Sequence, residues 1–149
     1  MSEKLPQATK HISHLNINRD WYLFDASDYR LGRLAAIIAS LLIVKKKANH
    51  SPHLDMGDGV VVVNAGRIKV TGRKKDAKIY YRHSGYIGNL KAEKLSELLK
   101  RDSREVIKKA VKNMLPKNRH QDDRMRRLRV FKGVKHDLKE VIFKKIEDK

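Results

Sequence analysis

Four consecutive valines, Val60 to Val63, restrict the fold more than any other feature of this chain. A strand wet on one face alternates apolar and polar side chains. An unbroken β-branched run buries both faces, which is the habit of a parallel sheet covered on each side. Parallel strands need a crossover between them, and the chain offers one just upstream. Trp21 to Phe24 (WYLF) is a short aromatic and aliphatic run with strand propensity. Between the two runs lies Asp25 to Lys47, DASDYRLGRLAAIIASLLIVKKK, with the longest apolar run of the sequence. Leu31, Leu34, Ala35, Ile38, Leu41 and Leu42 recur there at three- and four-residue steps. Ile37, Ala39 and Ile43 fill much of the opposite side. The spacing predicts a helix over 31–45, buried on most of its circumference. Ser27 or Asp28 is placed to cap its first turn. Strand, helix, strand at this spacing is a β-α-β unit with a right-handed crossover.

The remainder reads as more α/β structure. Pro52, Gly57 and Gly59 punctuate a loop over 48–59. Ile68 to Thr71 forms a short extended or helical piece, and TGRKKD (71–76) a basic loop. KIYYRH (78–83) is a third strand, followed by a glycine-marked loop. From Lys91 the pattern is helical: Leu95, Leu98 and Leu99 mark a helix ending near Arg101. Asp102 and Glu105 form a capping box that starts a second helix through Met114. Pro116 redirects the chain. Leu128, Val130 and Phe131 alternate with cations as a last strand, and 137–145 is read as a terminal helix. The expectation is one α/β domain with a mostly parallel sheet and helices on both sides. Its bounds are 19–135, between a flexible polar extension over 1–18 and a basic tail over 136–149.

Charge narrows the function. Lys plus Arg number 35 against 17 acids, a formal net charge of +18. So large a surplus opposes compaction unless a polyanion neutralises it; nucleic acid is the first such partner and an anionic membrane surface the second. No apolar run is long enough to span a bilayer, and the N-terminus lacks the apolar segment of a secretory leader. With no cysteine, disulfides and thiolate metal sites are excluded.

The cations are clustered. Arg67 to Arg82 holds seven Lys or Arg against one Asp, and Lys100 to Lys135 fourteen against four acids. Any single lysine is best read as part of a solvated face. The clusters together flank loops with Gly, Pro and His, where backbone approaches phosphate closely. The densest part, Met114 to Gly133, contributes Lys117, Arg119, Arg124, Arg126 and Arg127 as candidate phosphate ligands. Tyr80, Tyr81 and Tyr86 lie among these cations, where rings can stack on unpaired bases. One of Tyr80 and Tyr81 is expected in the core, and Tyr86 is the better contact.

Other chemistry finds little support. His50, His53, Asp55 and Asp58 are the one metal-like group, but their spacing matches no zinc motif. Gly57-Asp58-Gly59 precedes its strand, whereas a dinucleotide fingerprint follows one. No Gly-rich phosphate loop is present, and nothing places Ser, His and Asp together. No catalytic residue, cofactor or metal is expected. A nucleotide-using α/β enzyme and a duplex-DNA binder are the rival classes, and the missing phosphate loop weighs against the first.

Several blocks then come in one order: RDWYLFDA and LGRLA, SPHLDMGD leading into VVVNAGRIKVTGRK, YYRHSGYIGNLK, and AVKNMLPK. From Arg19 to Lys117, with weaker likeness through Phe131, the chain resembles the large-subunit ribosomal protein L-thirteen family in its bacterial or organellar form. The resemblance implies a three-layer α/β/α domain on a mostly parallel four-stranded sheet. It implies a structural, non-catalytic protein that binds large-subunit rRNA, assists early subunit assembly and meets neighbouring ribosomal proteins. By position it puts Lys45, Lys46, Lys47, His50 and His53 at rRNA. Arg73, Lys74, Lys75, Arg82, His83, Tyr86 and Lys117 follow by the same argument. Two departures stand out. The family's Gly-Pro-type turn and Gly-Arg pair after MLPK are replaced by NRHQDDRM. Its Arg-Gly after the first helix is replaced by Ile43-Val44, which is expected to lengthen that helix and shift the lysines.

Overall fold

The computed structural model describes residues 17–45, 47, 54–138 and 143–144. The valine run lies in strand β2 (Gly59–Val63), buried along its whole length. It pairs in parallel with β1 (Trp21–Asp25) on one side and with β5 (Leu128–Val130) on the other. A two-residue strand, β6 (Phe143–Lys144), runs parallel to β1 at Trp21 and Tyr22. This overturns the helix read over 137–145 at those two positions. Phe143 instead packs edge-on to the His136 ring, centroids 5.6 Å apart, and Phe131 lies 6.2 Å from the same ring.

Register decides which valines face the main core. Tyr22, Phe24, Val60, Val62, Leu128 and Val130 stand opposite one another and share one face. That face packs with helix α1 (Leu31–Ile43) and helix α3 (Leu95–Met114). The largest fully buried side chains there are Leu34, Ile38, Leu42, Leu95, Leu98 and Ile107. Each stabilises the fold by about 1.5–3 kcal/mol relative to exposure. Val61 and Val63 point the other way and are buried too. The molecule is a mixed α/β protein with a parallel sheet and packed helices, as the valine run implied.

The ends of α1 differ from expectation. No side chain caps its start: Arg30 precedes the first turn, and the Leu31 N–H donates to the Lys69 carbonyl at 3.0 Å. Ser27 and Asp28 belong instead to a turn in which the Ser27 N–H reaches Asp25 Oδ1 at 2.8 Å. At the other end Val44 adopts φ 64°, the left-handed conformation that glycine takes at low cost. The N–H groups of Val44 and Lys45 close onto the carbonyls of Leu41 and Ser40, both at 3.1 Å. The helix therefore ends at Ile43 and is not lengthened. The Val44 side chain is itself buried.

The second half holds the larger surprise. The strand read over 78–83 is β3 (Ile79–His83), but it joins no parallel sheet. It pairs antiparallel with β4 (Leu90–Lys94), a strand where the sequence read the onset of a helix. Lys91 to Lys94 lack the β-branched signal of a strand, and the pairing comes from the hairpin. Helix α3 kinks at Asp102 (φ −150°, ψ 98°), whose Oδ1 accepts the Arg104 N–H at 3.0 Å. The expected cap is there, but Glu105 binds Arg101 and Lys109 rather than closing a box. Two short helices complete the path, α2 (Lys74–Ala77) within the basic loop and α4 (Gln121–Arg126) after Pro116.

Gly59 faces Trp21 across the β1–β2 ladder, and a Cβ there would sit 2.4 Å from the indole. Gly59→Ala must displace Trp21 or the strand. We expect a loss of about 1–3 kcal/mol, read as a lower denaturant midpoint with unchanged slope.

Candidate nucleic-acid interface

The described cations fall into two structural populations, one bound inside the fold and one left at its surface. The inner group centres on the loop before β2. Asp55 holds Arg127 through two contacts, Oδ1 to Nη2 and Oδ2 to Nη1, both 2.6 Å. Arg124 Nε lies 3.5 Å from the same carboxylate, and Arg124 is only 4% exposed. Burial pushes the Asp55 carboxyl up, but the hydrogen bonds and charge of Arg127, the Gly57 N–H and the charge of Arg124 outweigh it. The net direction is down from the ordinary value of 3.8.

A second clamp lies beside it. Lys47 Nζ contacts Asp58 at 2.6 Å and Asp20 at 3.2 Å, and donates to the Asn18 carbonyl at 3.2 Å. Asp58 also accepts the Asp20 N–H at 3.0 Å. Burial lowers the Lys47 pKa, while its hydrogen bonds to Asp58 and Asp20, and their charges, raise it more; it ends above 10.5. These two carboxylates tie the approach to β1, the end of α1 and the approach to β2. Asp55 and Asp58, read from the sequence with His50 and His53 as a metal-like group, are thus occupied by cations.

The expected site residues divide accordingly. Lys47, Arg124 and Arg127 are held by carboxylates within the fold, with Arg124 buried outright. Lys45, Arg73, Lys74, Lys75, Arg82, His83, Tyr86, Lys117, Arg119 and Arg126 are exposed. Lys46, His50 and His53 lie outside the described residues. Arg73, Lys74 and Lys75 form no ion pair among the described residues, whereas Arg126 is paired locally with Asp123 at 3.1 Å. Tyr80 is the ring that turns inward. Its ring lies 5.2 Å from Lys78 Nζ and 5.1 Å from Lys109 Nζ, and burial pushes its hydroxyl up against a smaller opposing effect of Lys109. Tyr81 remains outside.

The fold also assembles cations that the sequence reading left off. A cleft of about 310 Å³ lies between the start of α1, the 69–78 segment and α3. Arg30, Lys69, Lys74 and Lys78 line it with no carboxylate among them, over apolar walls that include Leu31, Val70 and Leu95. Lys69 and Lys78 belonged to the counted basic cluster. Arg30 is distant in sequence and comes in through the bridge it forms with Lys69.

A small α/β protein that consumes its inner cations in ion pairs and leaves the rest outward belongs to the class of basic, polyanion-associated proteins. Comparison with known proteins makes the class specific. The family described as Ribosomal protein L13 matches residues 19–137. The chain is 50% identical over 121 residues to large ribosomal subunit protein uL13 of Nitratidesulfovibrio vulgaris, covering 81% of this chain and 84% of that one. It is 46% identical over 129 residues to that of Lachnospira eligens, covering 87% and 91%. Against that of Thermotoga petrophila it is 45% identical over 130 residues, covering 87% of each. The chain belongs to the Ribosomal protein L13 family. Membership makes it a structural constituent of the large ribosomal subunit and not an enzyme.

The inner ion pairs carry a stability prediction. Asp55→Asn leaves the buried Arg124 and the partly buried Arg127 without their counter-charge, at a cost of about 3 kcal/mol. The Asp55 carboxyl is depressed on folding, so its contribution is present above the unfolded value near 3.8 and is lost as pH falls through the lower folded value. Denaturant titrations of wild type and variant should therefore differ most near neutral pH and converge in acid.

Proposed function

We propose that the outward cations bind large-subunit rRNA, stabilise its folded form and assist early assembly of the subunit. The observation that carries this is the Arg73-Lys74-Lys75 group, exposed and without ion pairs among the described residues, beside a cleft lined by further cations. Phosphate neutralisation supplies most of the affinity, and fit to a folded RNA surface most of the specificity. Lys45, Arg82, His83, Tyr86, Lys117, Arg119 and Arg126 extend the contact, and Lys46, His50 and His53 join it by the family resemblance. Lys47, Arg124 and Arg127 act from within, by holding the loop before β2 in place. Arg30, Lys69 and Lys78 are added as phosphate ligands of the cleft.

The same reading takes 19–135 as one domain built in three layers on a four-stranded sheet. The short pairing of β6 with β1 supports a fourth strand, one drawn from the tail beyond 135. Residues 1–18 and 136–149 then offer further contacts to rRNA or neighbouring ribosomal proteins. The compared relatives are bacterial, which favours a bacterial ribosome over an organellar one. No described helix is long and apolar enough to cross a membrane.

The test is RNA binding as a function of salt. Replacing Arg73, Lys74 and Lys75 together by Ala should weaken binding to a large-subunit rRNA fragment. It should also reduce the slope of log K against log salt by about 2, since each phosphate contact contributes about 0.7–0.9. The same variant should keep the wild-type unfolding midpoint. An unchanged slope would remove these residues from the interface. In lysate, the protein should sediment with large subunits and leave them on RNase treatment.

A further inference from the structure

The outer face of the hairpin has a composition that phosphate binding does not explain. Register places Ile79, Tyr81 and His83 of β3 on one face with Leu90, Ala92 and Lys94 of β4. This is the face away from Tyr80, which packs against the core. Tyr81 is 66% exposed and Leu90 60%. Ala92 stands directly across from Tyr81, so the residue paired with the ring is too small to cover it. Tyr81 and His83 are two residues apart, about 7 Å along a strand. The His83 ring is held in one orientation, because its Nδ1 accepts the Gly85 N–H at 3.0 Å. Beyond it the turn carries Tyr86, 78% exposed.

The charges around this face have one sign. Lys94 stands on it by register, while Arg82 and Lys91 are exposed on the hairpin's other side and Lys78 lies at the Tyr80 ring. The single carboxylate of the two strands, Glu93, is paired with Tyr80 on the opposite face and is held by Arg101 at 3.2 Å. A plain apolar patch would suit a protein neighbour. Exposed rings at two-residue spacing, with Lys94 on their own face, further cations on the hairpin's other side and no carboxylate beside them, complement flat bases joined by phosphates. We propose that this face is a stacking platform for unpaired rRNA nucleotides, with Tyr81 as the principal ring, His83 the second and Tyr86 at its end. The proposal rests on the rRNA-binding reading above. It adds what phosphate contacts cannot, a preference for loops and bulges over duplex.

The experiment measures binding of the full chain to a labelled single-stranded oligouridylate and to an RNA duplex of equal length, at several salt concentrations. Tyr81→Leu keeps apolar bulk and removes the ring. It should weaken single-strand binding about 5- to 100-fold, the effect of losing one stacked base. Its salt slope and its duplex binding should match wild type, and Tyr81→Phe should bind as wild type does. Single-strand binding by Tyr81→Leu equal to wild type, with wild-type RNA binding intact, would overturn the platform alone and leave the face to a protein neighbour. Failure of the wild type to bind either RNA would overturn the rRNA-binding reading as well. Ultraviolet crosslinking of wild type to the oligouridylate, mapped by mass spectrometry, does not depend on a variant folding. Crosslinks at Tyr81, His83 or Tyr86 are expected, and crosslinks confined to other segments would overturn the proposal.

Discussion

The parallel pairing of Trp21–Asp25 with Gly59–Val63 is the interaction on which the other elements depend. Parallel strands cannot be joined by a tight turn, so α1 must cross between them and bury its apolar sides on the way. The pairing also carries β5 on its far edge and leaves one face for α3. Its terminal contacts are specific. Gly59 leaves room for Trp21 at one end. At the other, the Asn64 side-chain amide donates to Asp25 Oδ2 at 2.7 Å. The Asp25 carboxyl lies below its ordinary range, held chiefly by the Ser27 N–H.

A chain with this much positive charge has to solve a second problem, that of assembling without its polyanion. The loop before β2 answers part of it. Asp55 and Asp58 draw Arg124, Arg127 and Lys47 inward, so three cations that would repel their neighbours instead fasten distant segments together. Such pairs add little net stability over an apolar core of equal volume, but removing one partner is costly. Most of the other described cations stay exposed, where a polyanion can relieve their self-repulsion. Inner and outer cations thus differ in what they do, although the residue types are the same.

The hairpin follows the same logic in its side chains. Tyr80 and Tyr81 are neighbours in sequence and opposite in role, because successive residues of a strand point to opposite faces. The sequence placed one of them in the core but could not say which, since both flanks are basic. It missed β4 entirely. Lys91 to Lys94 read as the start of a helix because Leu95 and Leu98 follow at helical spacing. The pairing that makes them a strand is contributed by β3, and a pairing partner is not a local property.

What the sequence determined by itself was what depends on local pattern and on totals. Val60 to Val63 determined a buried parallel strand, the spacing from Leu31 to Leu42 a buried helix, and the net charge a polyanion partner. The order of the matching blocks pointed to the family, which the comparisons then showed. Tertiary structure alone decided which cations are free. Asp55 and Arg127 are 72 residues apart in sequence, and no composition or periodicity reveals that they meet. Coulomb attraction between such groups acts over a few ångströms of space. The division between cations that hold the protein together and cations left exposed therefore exists only once the chain has folded.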